Sequence, residues 1–145
     1  MAAPPNITGC YWMRALKAVE LKFMGERARC TALFDTSSGV TVIQRAFFEE
    51  VFGAKWLRLS RPLKLCWING NYIEADKYAQ LTIIIDGFEL PETVFVIDEF
   101  VKEVEFEGRK IRLPELIVGS GTMDKYGIIL DPKEGIKIAG ATLIL

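Results

Sequence analysis

Along the first third of the chain, apolar and polar residues alternate with the period of a half-buried strand. Val19, Leu21 and Phe23 fall on one face, and Glu20 and Lys22 on the other. Met24-Gly25-Glu26 breaks the run as a hairpin turn would, and residues 27–34 return as a second strand that ends on Asp35. A short strand is predicted over 40–43. The spacing then changes: Ile43, Phe47 and Val51 stand four apart with Ala46 beside them, Glu49 and Glu50 take the other side, and Gly53 follows. That pattern predicts a short helix over 44–52.

Residues 55–65 are mixed and basic, read as strand and loop around Pro62. Next, Leu65-Cys66-Trp67-Ile68 meets Asn69-Gly70-Asn71 and then Tyr72-Ile73. Asn-Gly between apolar residues is a strong hairpin signal, because both residues accept the positive φ of a tight turn. A second hairpin is expected where 80–85 and 88–97 flank Asp86-Gly87, with Pro91 confined to an edge or bend. Residues 98–112 alternate in charge without an apolar face and read as an inserted, solvated hairpin centred on Glu107-Gly108. Leu116-Ile117-Val118-Gly119 is a compact apolar strand. One helical turn is expected over 122–126, ended by Gly127, and strands over 128–131, 135–138 and 141–145. The sum is an all-β domain with one or two short helices.

Composition narrows the chemistry. With 145 residues, 50% hydrophobic and 26% charged, the chain suits one globular domain, taken as 9–145 behind a loose tail over 1–8. Eighteen basic residues against 19 acidic ones leave no nucleic-acid footprint. Nothing apolar is long enough for a membrane span, and the tail lacks the pattern of a signal peptide. The chain has no histidine, which removes imidazole ligands, Ser-His triads and Cys-His dyads. Cys10, Cys30 and Cys66 fit neither a zinc pattern nor a secreted disulfide framework, so a reduced, cytoplasmic protein is expected. Acid–base work near neutral pH then falls to carboxylates, a perturbed lysine or cysteine, or a metal.

One carboxylate stands out. In Ala32-Leu33-Phe34-Asp35-Thr36-Ser37-Ser38-Gly39-Val40-Thr41-Val42-Ile43, an apolar strand carries Asp35 into a turn of small hydroxyl residues. A carboxylate at the edge of a core must be paired, hydrogen-bonded or protonated. The plain alternative is a turn or cap residue.

Taken in order, four pieces resemble the retropepsin-like aspartic protease family. They are the Asp35-Thr36 turn, the helix before Gly53, the hairpin from Trp67 to Tyr72, and Leu116-Ile117-Val118-Gly119; the stretch from Met123 to Asp131 adds to them. The resemblance covers roughly residues 18–138 and implies a retropepsin-like acid protease barrel with one lobe per chain. It further implies a homodimer in which Asp35 of each copy forms a proton-sharing pair, with no metal or cofactor. Thr36 would bond across the two-fold axis. Thr36, Ser37 and Ser38 would form the active turn. Trp67, Ile68, Asn69, Gly70 and Asn71 would form a flap, and Val118 and Gly119 would adjoin an extended peptide substrate. The chain departs from the family at Ser37 and Ser38, where glycine and alanine are usual. It departs again at Ser120-Gly121, which stand where the family usually has a larger residue and then Asp or Asn. Two functions follow: a dimeric endopeptidase, or a catalytically weak dimer of the same fold that binds extended peptides or partner proteins. A small β-barrel scaffold with an incidental Asp35 is the third.

Overall fold

The computed structural model describes residues 15–66, 72–98, 103–106, 108–112 and 114–140. The tail over 1–8, the 67–71 tip and the 141–145 strand expected from the sequence lie outside these residues.

Strands β1 (Leu16–Phe23) and β2 (Glu26–Asp35) form an antiparallel hairpin. Met24 and Gly25 between them have φ of 52° and 82°, the paired positive values that match strand twist in a two-residue turn. The outer half of β2 alternates in burial, but Ala32, Leu33, Phe34 and Asp35 are all buried. Both edges are occupied there, by β1 on one side and by β9 (Leu116–Gly119) on the other, and apolar clusters cover both faces. Phe34 belongs to the main core and Leu33 to the smaller cluster behind it.

Strand β3 (Val42–Gln44) runs antiparallel to β9 and parallel to β6 (Phe88–Ile97), leading directly into helix α1 (Arg45–Phe52). Strand β6 pairs with the second part of β5 (Tyr72–Ile85), from Lys77 to Ile85, around Asp86 and Gly87, whose φ values of 50° and 84° make the same kind of turn. Strand β5 then pairs with β1, with Leu21 opposite Ile83. The ring β1-β2-β9-β3-β6-β5 therefore closes on itself as a six-stranded barrel, and closure removes the exposed edges of an open sheet. Strand β4 (Leu57–Cys66) lies outside the ring and, among the described residues, pairs only with β5.

The remaining elements are a separate ribbon of β7 (Glu103–Phe106) and β8 (Arg109–Arg112), helix α2 (Ser120–Tyr126), and the hairpin of β10 (Ile128–Asp131) and β11 (Gly135–Ile138). Among the described residues the architecture is all-β with two short helices.

Three elements differ in detail from the sequence expectation. Helix α1 buries Phe48 and Phe52 rather than centring its buried face on Phe47 and Val51. Ile43 belongs to β3, so a stripe counted from it starts outside the helix; the buried pair stacks edge-on with Phe23 at 5.3 and 5.4 Å. Strand β4 is one element instead of a strand and a loop. Arg58 faces Lys77 but Leu63 faces Ala75, so the chain bulges around Pro62, which can give no ladder hydrogen bond. Strand β5 runs unbroken from Tyr72 through its polar first half, where Lys77 points inward. Its ammonium is held by Asp76 and Asp98, each at 2.9 Å, which push its pKa up, the Asp76 hydrogen bond most. Pro91 sits beyond the reach of β3, on the edge of β6 that carries no neighbour strand among the described residues.

Candidate active site

Strands β2 and β9 run parallel and end together, with Phe34 beside Val118 and Asp35 beside Gly119. Asp35 is thereby carried to the rim of the barrel while keeping only 7% of its surface exposed. The chain turns immediately, Ser38 N–H donating to the Asp35 carbonyl at 3.1 Å. Ser37 turns back on the carboxylate: its N–H donates to Asp35 Oδ1 at 3.0 Å and its hydroxyl to the same oxygen at 2.5 Å. A buried carboxylate needs such donors, and an Asp followed by small hydroxyl residues supplies them within its own turn.

The turn is pinned from the β9 side. Ser120 N–H donates to the Ser38 carbonyl at 2.6 Å, and Gly119 N–H to Thr41 Oγ1 at 3.0 Å. The Ser38 hydroxyl closes on the Val40 carbonyl at 2.7 Å. Gly119 is required here for space, not for backbone angle. A Cβ on it would stand 2.6 Å from the Ser38 carbonyl oxygen and closer still to that of Val40.

Asp35 opens into a cleft of about 240 Å³, walled by Ser37, Val40, Val42 and Ile117 below and by Leu65 and Cys66 of β4 above. The arms of β4 and β5 pair as far as Cys66 opposite Tyr72. Trp67, Ile68, Asn69, Gly70 and Asn71, the expected flap tip, lie outside the described residues. Thr36 is exposed beside Asp35, and Ser38 is partly buried in the cleft wall. Val118 has no exposed surface and packs in the main core, while its neighbour Ile117 lines the cleft.

Sequence reasoning did not single out Val42, Leu65 or Ile117. Strand alternation carries a signal for one of them: Val118 shares a register position with core-facing Phe34, which sends Ile117 to the other face. Among the described residues no group of three or more Cys, Asp or Glu side chains is placed to hold a metal ion. None of their helices is long and apolar enough to cross a membrane.

A closed barrel with parallel β2 and β9 ending at an acidic turn, a following glycine, a short helix and an arm arching over the cleft defines the retropepsin-like fold, one lobe per chain. Among solved structures it is similar to the retroviral protease-like domain of Ddi1 from Leishmania major, with a TM-score of 0.58, 13% identity, and 86% of this chain and 89% of that one covered. At that identity the likeness is one of fold. No protein-family profile and no curated protein sequence matches the chain.

Proposed function

We propose that this chain is one half of a homodimeric aspartic endopeptidase, each copy contributing Asp35 to a dyad that hydrolyses peptide bonds. The observation that carries this reading is the placement of Asp35: a buried carboxylate, oriented by donors from its own turn, on the floor of an apolar cleft. A single lobe provides one such acid. A two-fold axis beside Thr36 would bring a second copy's carboxylate against the first, and symmetric dimers are the commonest oligomers.

Two facing carboxylates share one proton, because like charges at that distance do not both ionise. The ionised member takes a proton from water as that water attacks the carbonyl carbon; the protonated member donates to the carbonyl oxygen. A proton then passes to the departing amine. Thr36 would hold the two turns together across the axis, and 67–71 would close over the substrate and exclude water. An extended peptide would pair its backbone along the cleft edges, with Val40, Val42 and Ile117 favouring apolar side chains near the cleaved bond. The exposed Ile129 on β10 supports the terminal strands as part of the dimer contact. The free, partly buried thiol of Cys30 fits a reducing compartment such as the cytoplasm.

The second reading is a dimer of the same fold that binds extended peptides with little or no hydrolysis. The Ser37 hydroxyl favours it, since at 2.5 Å it already occupies the Asp35 oxygen on which the water or the second carboxyl would act. Incubation of mixed peptide libraries between pH 3 and 7 with the wild type and Asp35→Asn, alongside sedimentation, decides among these. Cleavage lost in Asp35→Asn and a dimeric species support the peptidase. Dimers that bind but do not cut support the second reading, and a persistent monomer excludes both.

A further inference from the structure

Behind the Asp35 turn, on the side away from the cleft, a chain of hydrogen bonds runs from the surface to the backbone of β9. Lys125 Nζ donates to both oxygens of the Glu92 carboxylate, at 3.0 and 3.2 Å. Glu92 Oε2 accepts the Thr122 hydroxyl at 2.8 Å, and the hydroxyls of Thr122 and Thr41 lie 2.7 Å apart. Thr41 Oγ1 accepts the N–H of Gly119 at 3.0 Å.

The proton directions in this chain follow from counting hydrogens. Thr122 has one hydroxyl hydrogen and gives it to Glu92, so the hydrogen between the two threonines belongs to Thr41. From Gly119 through Thr41 and Thr122 the donors therefore all point toward Glu92, whose carboxylate accepts from Lys125 at the other end. Bonds aligned in one direction polarise and strengthen each other in a low-dielectric interior. Thr41 and Thr122 are 2% and 3% exposed, so their hydroxyls bond chiefly to these protein partners.

Gly119 needs such a brace. It has no side chain with which to hold its position beside Asp35, and the carbonyls of Ser38 and Val40 leave it no room for one. A cavity of about 230 Å³, walled by Val40, Thr41, Glu92, Phe95, Thr122 and Lys125, lies behind the same segment. The turn thus has space into which to retreat if nothing holds it.

We propose that Thr41, Thr122 and Glu92, backed by Lys125, are positioning residues that hold the end of β9, and Asp35 with it, at the depth the reaction requires. Their part in catalysis rests on Asp35 being the reacting acid; their hold on the backbone does not. The test compares Thr41→Val, which keeps the shape and removes the acceptor, with Thr41→Ser, which restores it, and with Lys125→Met at the exposed end.

Amide hydrogen exchange of Gly119 and Ser37 is measured against amides of β1 and β5, together with kcat and KM. In Thr41→Val the two site amides exchange at least about tenfold faster while the β1 and β5 amides stay as in the wild type. The kcat falls about tenfold to a hundredfold with KM within about twofold, as a small misplacement of a reacting group produces. Serine restores both, and Lys125→Met moves both the same way to a smaller extent. Unchanged site exchange, a uniform rise across the barrel, or failure of serine to rescue overturns the proposal. Should Thr41→Val not fold, Lys125→Met decides by the same criteria. A wild type without Asp35-dependent cleavage removes the peptidase reading, and the exchange comparison still decides the brace.

Discussion

Replacing Gly119 by alanine tests the packing that brings β9 against the acidic turn. The added Cβ would stand 2.6 Å from the Ser38 oxygen and 2.7 Å from the Val40 carbonyl carbon, well inside the ~3.5 Å at which such atoms rest. Both neighbours are backbone, so no rotamer change relieves the overlap. Relief requires residues 38–40 to move by about 1 Å, against the Ser120 to Ser38 hydrogen bond and the brace through Thr41. Overpacking costs about 1–3 kcal/mol, and a clash with two carbonyls belongs at the upper end. For a domain of this size about 3 kcal/mol lowers Tm by roughly 6–12 °C.

Urea and thermal unfolding followed by far-UV circular dichroism, at matched protein concentration, read the effect. Two glycines nearby calibrate it. A Cβ at Gly121 meets only the Gly39 carbonyl oxygen, at 2.9 Å, and alanine there gains up to about 1 kcal/mol of helix propensity in α2, so a small net change is expected. At Gly39 a Cβ has nothing within 4 Å, and alanine should fall within about 0.5 kcal/mol of the wild type. Gly119→Ala unfolding within about 0.5 kcal/mol of the wild type, or Gly39→Ala costing as much as Gly119→Ala, refutes the reasoning.

Three further outcomes are expected. Ser37→Gly frees the Asp35 oxygen that the hydroxyl occupies while keeping the backbone N–H donor, and should raise kcat on a peptide substrate about tenfold, equivalent to about 1.4 kcal/mol; a fall in kcat refutes it. Burial, and then the charge of Glu115, pushes the Cys30 thiol up to about 12. At pH 8 its alkylation in the folded protein should run at least about a hundredfold slower than in urea, measured by mass spectrometry of the peptide that contains it, and comparable rates contradict this. The Asp131 carboxyl is held below its usual range by the N–H groups of Glu134 and Lys133. Its contribution is therefore present above about pH 4 and lost as pH falls through the lowered value. Asp131→Asn should be less stable than the wild type at pH 7, and the two should converge in acid; a gap that widens on acidification would count against this.

Much of the barrel was legible because its signals are local. Glycine at the second turn position after Met24 and after Asp86 marks two hairpins, and the alternation of Val19, Leu21 and Phe23 survives intact in β1. The strands expected over 128–131 and 135–138 are β10 and β11. Asp35 stood out because an apolar strand delivers an acid to a hydroxyl turn, and the structure places it in a cleft. What could not be read depends on partners distant in the chain. Lys77 turns inward because Asp98, 21 residues on, meets its ammonium. Thr41 and Thr122 are 81 residues apart and meet only because β3 and β9 are neighbours. Phe48 and Phe52 outcompete Phe47 and Val51 for the core because Phe23, on another element, stands ready to stack on them.

Among the described residues strand β4 is attached along one side only, and most of its side chains face solvent. It behaves as a cantilever: lifting it breaks its bonds to β5 and leaves the ring of six intact. Such a segment opens at a free energy well below that of unfolding the whole domain. Entry to the space above Asp35 therefore depends on a strand held to the barrel through β5, and a change at Pro62 or Leu63, where β4 bulges, is expected to alter its rate without touching the acid beneath.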